Sequence, residues 1–196
     1  MFVLYFTIQL LHLQTACTTS YYYTACKLYH QMRAIAFYVK ITIIPFYPEA
    51  HMELTVKHFN ELTACELHEI YMIRTKIFII EQKHICQEVD EADRVAYHVW
   101  LKDEDGIQAY LRVLPAGVRF DEVSIGRVLA VKRRRGLGSQ VMCEGIRTAC
   151  EKFGANEIVI EAQVYVREFY EKLGFVKTSD EFFEDDIPHI KMMLKI

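Results

Sequence analysis

From Met52 onward, the spacing of apolar positions can be read one element at a time. Glu53 to Phe59 alternates, with Leu54 and Val56 on one side of a first strand. Asn60 marks a turn. Thr63, with Glu66 three residues on, makes a capping-box signature, and Leu67, Ile70, Tyr71, Arg74, Ile77 and Phe78 then recur at helical spacing. Arg74 falls inside this stripe, and the expected arrangement is a stem that packs with a head that reaches solvent. Between Glu81 and Asp93 the pattern breaks into a polar run carrying Glu88, Asp90, Glu91 and Asp93, which reads as a solvated loop.

Beyond that run, Ala96 to Lys102 and Ile107 to Leu114 flank Asp103-Glu104-Asp105-Gly106 as a hairpin. Pro115-Ala116-Gly117 interrupts, and Val123 to Val131 is apolar enough for a central strand. Leu137, Val141, Met142, Ile146, Ala149, Cys150 and Phe153 recur along a second helix that Gly154 ends. Glu157 to Ala162 is another buried strand. A short helix follows through Val166, Phe169, Tyr170 and Leu173, stopped by Gly174, and strands resume at Phe175 to Lys177 and Ile190 to Leu194. A strand-rich first half followed by alternating strands and helices predicts one α/β domain with a mixed sheet.

Composition divides the chain. Before Met52 the charged side chains are Lys27, Arg33, Lys40 and Glu49 and glycine is absent, whereas the remainder has the make-up of an ordinary globular domain. Phe2 to Leu13 has no basic residue ahead of it and is interrupted by Thr7, Gln9 and His12, which argues against a signal peptide or a spanning helix. The expectation is an extension over residues 1–51 that takes no part in the fold, with Met52 as the natural start of a domain at 52–196. A net charge of −3 gives no basic excess for a dedicated nucleic-acid binder. Cys17, Cys26, Cys65, Cys86, Cys143 and Cys150 show no zinc spacing, so they read as free thiols of a cytoplasmic protein without a metal site.

Specific chemistry is suggested by the run from Gly126 to Ser139, where an apolar strand enters a basic glycine turn and then a helix. Glycines let backbone approach a ligand closely, and a helix start offers unpaired N–H groups and positive dipole to phosphate. Neither the P-loop nor the dinucleotide fingerprint fits, because the Gly-Lys-Ser/Thr ending and the third glycine are both missing. The remaining Arg133-x-x-Gly136-x-Gly138 resembles the acyl-CoA pyrophosphate loop of the GNAT N-acetyltransferases. Ala162-Gln163 through Phe169-Tyr170-Glu171-Lys172-Leu173-Gly174-Phe175 resembles the second signature of that superfamily, in the right order and at the expected spacing. Phe78-Ile79-Ile80-Glu81-Gln82 and Phe182 to Ile190 are similar to its ElaA-like branch.

That resemblance implies a mostly antiparallel sheet with one splayed parallel strand pair and flanking helices. It implies acetyl-CoA as co-substrate, its pantetheine arm between Val128-Leu129-Ala130-Val131 and Ile158 to Ala162, with Gln163 beside it. The diphosphate would rest on amides from Arg134 to Ser139, aided by Arg133, Arg134 and Arg135, with Gly136, Leu137, Gly138 and Ser139 as the cradle. Tyr170 matches the thiol-facing general acid. His189 is a candidate base because histidine titrates near neutrality, and Glu184 or Asp185 is an alternative acting through water. The acidic runs 88–93 and 181–186 would steer a small or peptidyl amine to the cleft.

Two departures stand out. Asp186 occupies a position where the family has glycine, so that turn is expected to be distorted, and Lys132 and Arg133 shorten the approach to the loop. Three readings remain open at this point: an N-acetyltransferase, an inactive acyl-CoA binder of the same shape, and a nucleic-acid contact through Lys132 to Arg135. No membrane partner is expected unless the N-terminal segment is a real anchor, and a homodimer is allowed for.

Overall fold

The computed structural model describes residues 52–83 and 86–196; the N-terminal extension, with Cys17 and Cys26, lies outside the described residues. The strands are β1 (Glu53–His58), β2 (Tyr97–Asp103), β3 (Gly106–Leu114), β4 (Val123–Ala130), β5 (Glu157–Gln163), β6 (Val176–Lys177), β7 (Phe182–Glu184) and β8 (Ile187–Lys195). They form one sheet in the order β1-β2-β3-β4-β5-β8-β6, with β7 paired to β8. Every pairing is antiparallel except β4 with β5. The helices are α1 (Ala64–Arg74), α2 (Leu137–Phe153) and α3 (Arg167–Lys172), and α1 runs on as a π-helical segment, Thr75–Glu81. This is the expected mixed α/β architecture.

The two sheet faces divide the labour. Leu111 and Val113 of β3 and Ile125 of β4 join Val141, Met142 and Ala149 of α2 in the main core, where full burial contributes about 1.5–3 kcal/mol for each large apolar side chain. A Cβ placed on Gly145 would fall 2.7 and 2.9 Å from the two methyls of Leu111, so glycine sets how closely α2 lies on β3. The opposite face carries Tyr110 and Leu129, which meet Ile70 of α1 and Ile77 of the π-helical segment, with Trp100 and Ile107. Helix α1 begins as expected: the Thr63 side chain accepts from the Glu66 amide and Glu66 returns to the Thr63 amide.

Arg74 corrects the expectation of a solvent-reaching head. It is fully buried, with Nε 2.7 Å from Glu88 Oε1 and Nη1 2.8 Å from Asp93 Oδ1. Arg112 of β3 holds Asp90 through two nitrogens and shares Asp93 Oδ1 at 2.8 Å. Arg127 adds a contact to Glu88 Oε2 at 2.6 Å. Three guanidiniums thus meet three carboxylates. Glu88, Asp90 and Asp93 are therefore not a solvated run and are not free to steer a cation, because a buried arginine demands paired charge, while Glu91 stays exposed.

The C-terminal hairpin holds two further differences. Strand β8 begins at Ile187 rather than Ile190, and β7 adds a strand that periodicity missed in so short a segment. Asp185 and Asp186 both take left-handed conformations (φ 47° and 64°) between the paired Glu184 and Ile187. That is the backbone of a two-residue hairpin turn, which aspartate tolerates. The turn expected to be distorted by Asp186 keeps its register.

Candidate active site

Strands β4 and β5 are paired only at Val123–Ile158 and Ser124–Val159. Beyond these positions they part, which leaves backbone groups facing a gap. A bulge accompanies the separation: Arg112 opposes Gly126 and Tyr110 opposes Leu129, so Arg127 and Val128 together face the single Leu111. Arg127 lies at φ 55°, a conformation costly for a side-chain-bearing residue, and its contact with buried Glu88 holds it there.

The glycine loop closes the far end of the gap. Gly136, at φ 79°, is the N-cap of α2 and offers no side chain to bond the first-turn amides. The first intrahelical bond at this end runs from the Gln140 amide to the Gly136 carbonyl, so the amides of Leu137, Gly138 and Ser139 are available to a ligand. Arg133, Arg134 and Arg135 are exposed around them, with Arg133 3.9 Å from Glu81. Lys132 is instead tied to the β2–β3 turn through Asp103 and Asp105. At Gly138 an added Cβ would meet the Phe169 ring at 3.4 Å, an ordinary contact, so the approach of α2 to α3 does not by itself require glycine here.

Loop, gap and α3 line one cleft of about 760 Å³. It takes in Val128, Leu129, Ala130, Arg133, Arg134, Gly136, Leu137, Gly138, Ser139, Gln163, Tyr170, Glu184 and His189. Three expected residues, Val131, Arg135 and Asp185, are not on its wall. Val131 lies past the end of β4, with its amide bonded to the Gln108 carbonyl at 2.8 Å, Arg135 is exposed outside the cleft, and Asp185 sits in the turn between β7 and β8. Tyr170 is buried, edge-on to Phe169 and Phe175 at centroid separations of 4.9 and 5.9 Å. Burial, and then the neighbouring Tyr165, raise its phenol above the ordinary value, so the proton stays on at neutral pH.

Across the cleft, His189 of β8 opposes Gln163 of β5 and stacks on Phe182. Its Nδ1 lies 2.8 Å from the Ile187 carbonyl, which can only accept. The proton of the neutral ring therefore sits on Nδ1, and Nε2 keeps its lone pair. Glu184 Oε2 is 3.9 Å from that nitrogen, while Glu184 Oε1 accepts from Arg119 Nη2 at 2.7 Å. Arg119 also binds Glu161 Oε2 at 2.6 Å. Arg119 and Glu161 were missed in the sequence: one follows an unpatterned Pro-Ala-Gly segment, and the other reads as an ordinary polar position in a strand. Gln82, the last residue of the Phe78 to Gln82 stretch, accepts from Gln163 Nε2 at 3.4 Å, a contact that its place in the sequence did not foretell. Among the described residues no group of acidic, histidine or cysteine side chains is placed to hold a metal ion, and no helix is long and apolar enough to cross a membrane.

Known proteins are similar to this chain in sequence and fold. Residues 79–196 match the profile of the acetyltransferase (GNAT) domain. A UPF0039 protein of Schizosaccharomyces pombe is 36% identical over 151 residues, covering 75% of this chain and 99% of its own length. A solved acyl-CoA N-acyltransferase from Pseudomonas aeruginosa superposes with a TM-score of 0.68 at 35% identity, covering 72% of this chain and 99% of that one. Escherichia coli ElaA superposes with a TM-score of 0.69 at 27% identity, covering 74% and 99%. With more than half its length inside the domain profile and a parted parallel strand pair at its centre, the chain belongs to the GNAT acetyltransferase family, alongside ElaA and the UPF0039 proteins.

Proposed function

We propose that the protein transfers an acyl group, acetyl in the simplest case, from a CoA thioester to a primary amine of a small molecule or peptide by direct attack. The observation that carries this reading is the parting of β4 from β5 after two paired positions, with free amides at one end of the gap and a protonated phenol beside it. The pantetheine arm takes the place of a strand in that gap. The diphosphate sits on the amides at the start of α2, with Arg133 and Arg134 adding charge.

An alkylammonium, with a pKa of roughly 10, must lose its proton before attack. His189 Nε2 is the acceptor supported by its tautomer, with Glu184 beside it to stabilise the imidazolium. The freed amine nitrogen bonds to the thioester carbon, the C–S bond then breaks, the departing thiolate takes the Tyr170 proton, and the second proton of the attacking nitrogen leaves through water to restore the phenol and give the neutral amide. A phenol raised by burial remains protonated until that moment.

A thermal-shift titration and a thiol-release assay test this together. CoA at a hundred times its dissociation constant adds about 2.7 kcal/mol of stability if it binds the folded state alone. The expected result is stabilisation by acetyl-CoA plus release of free thiol with at least one member of a panel of polyamines, amino sugars, amino acids and peptides. Stabilisation without thiol release over the panel would assign binding without catalysis. No stabilisation by CoA would refute the reading.

A further inference from the structure

The gap between β4 and β5 narrows to the Ser124–Val159 pair, and polar groups near that apex have nothing to bind. Ser124 Oγ and Arg112 Nε both belong to side chains that line the cleft and are 2% exposed, and neither atom has a hydrogen-bond partner among the described residues. A buried polar group left bare is costly to the fold, so such a pair is a place for a ligand atom. The register brings them together. Arg112 lies directly opposite Gly126, and Ser124 is two residues before Gly126 on the same sheet face. A Cβ at Gly126 would meet no heavy atom within 4 Å, and the backbone there is not left-handed. This glycine leaves room instead of making a turn.

Resting on the acyl-CoA reading above, we propose that the apex is an acyl chamber. It takes donor chains longer than acetyl that carry an uncharged oxygen, keto or hydroxyl, beyond the thioester carbonyl. A chain that follows the gap from the glycine loop past Tyr170 runs toward Ser124, whereas an amine enters from the open side where His189 and Glu184 stand. Both orphan groups can donate, so the matching ligand atom is an acceptor oxygen. It is uncharged because Arg112 already binds Asp90 and Asp93, and three guanidiniums face three carboxylates in this network. No surplus positive charge is left for a carboxylate on the acyl chain.

The test is calorimetric titration of the full chain with CoA, acetyl-CoA, butyryl-CoA, acetoacetyl-CoA and succinyl-CoA, which requires no amine. Acetoacetyl-CoA is expected to bind about tenfold tighter than butyryl-CoA, and Ser124→Ala to cut that advantage to about threefold or less. Gly126→Val places methyls in the open space without strain and is expected to erase any preference of the longer thioesters over acetyl-CoA. Equal affinity for all the thioesters, an unchanged preference in Gly126→Val, or tightest binding by succinyl-CoA would each overturn the chamber while leaving CoA binding intact. No binding of CoA itself would overturn the acyl-CoA reading as well.

Discussion

Asp93→Asn probes the buried charge network, whose strands form one wall of the cleft. Asp93 is 1% exposed, and its Oδ1 accepts from Arg74 Nη1 and Arg112 Nη1, both at 2.8 Å. Burial alone would raise its carboxyl, but the two guanidiniums outweigh burial and hold it below the usual carboxylate range. The amide keeps the shape and removes the charge, so three guanidiniums, those of Arg74 and Arg112 buried and that of Arg127 half-buried, are left with two carboxylates. Breaking a buried pair in this way costs about 3–5 kcal/mol. The His98 ring would be undisturbed, because its Nε2 donates to the Asp93 backbone carbonyl. Urea unfolding should show a midpoint lowered accordingly with the same m-value. Glu151→Gln is the control: it pairs with Arg147 at the surface with 53% exposure, and its loss should cost less than about 1 kcal/mol. A loss below about 1 kcal/mol for Asp93→Asn would refute the claim that the run 88–93 is held by charge pairing.

His98 is buried between Tyr110 Oη at 2.7 Å and the Asp93 carbonyl, and burial depresses its pKa to about 4. The unfolded chain, with an ordinary value near 6.5, takes up the proton first. Stability is therefore full above about pH 6.5 and falls by roughly 3 kcal/mol as the pH drops to about 4; a flat urea midpoint between pH 7 and 5 would contradict this. Gly145→Ala drives a methyl onto Leu111 and should lower stability by about 1–3 kcal/mol despite the better helix propensity of alanine, as thermal unfolding would report. Tyr170→Phe should leave the CoA dissociation constant within about twofold and reduce turnover by roughly a hundredfold in a thiol-release assay, whereas full turnover would make Tyr170 a packing residue.

Much of this molecule was legible because local chemistry and tertiary structure agree. Thr63 and Glu66 cap α1 as their spacing requires, Gly154 ends α2 in the left-handed conformation, and the hairpin of β2 and β3 turns at Gly106. The glycine loop and the Phe169-Tyr170 helix, far apart in sequence, do meet at one cleft. What stayed hidden depends on partners that no local pattern specifies. Arg74 looked like a surface arginine because its acids arrive from a loop beyond the end of its own helix. The bulge rests on Arg127 at positive φ, where sequence alone favours glycine or asparagine, and only its long-range contact with Glu88 accounts for it. Arg119 joins β5 to β7 through Glu161 and Glu184, a connection that exists only once the sheet has formed.

A crystal structure of the CoA complex is the most direct measurement. The diphosphate should lie within hydrogen-bonding distance of the amides from Gly136 to Ser139, the pantetheine between β4 and β5 beyond Ser124 and Val159, and the sulfur facing the Tyr170 hydroxyl. CoA bound outside this gap, or a gap closed by further pairing of β4 with β5, would contradict the assignment.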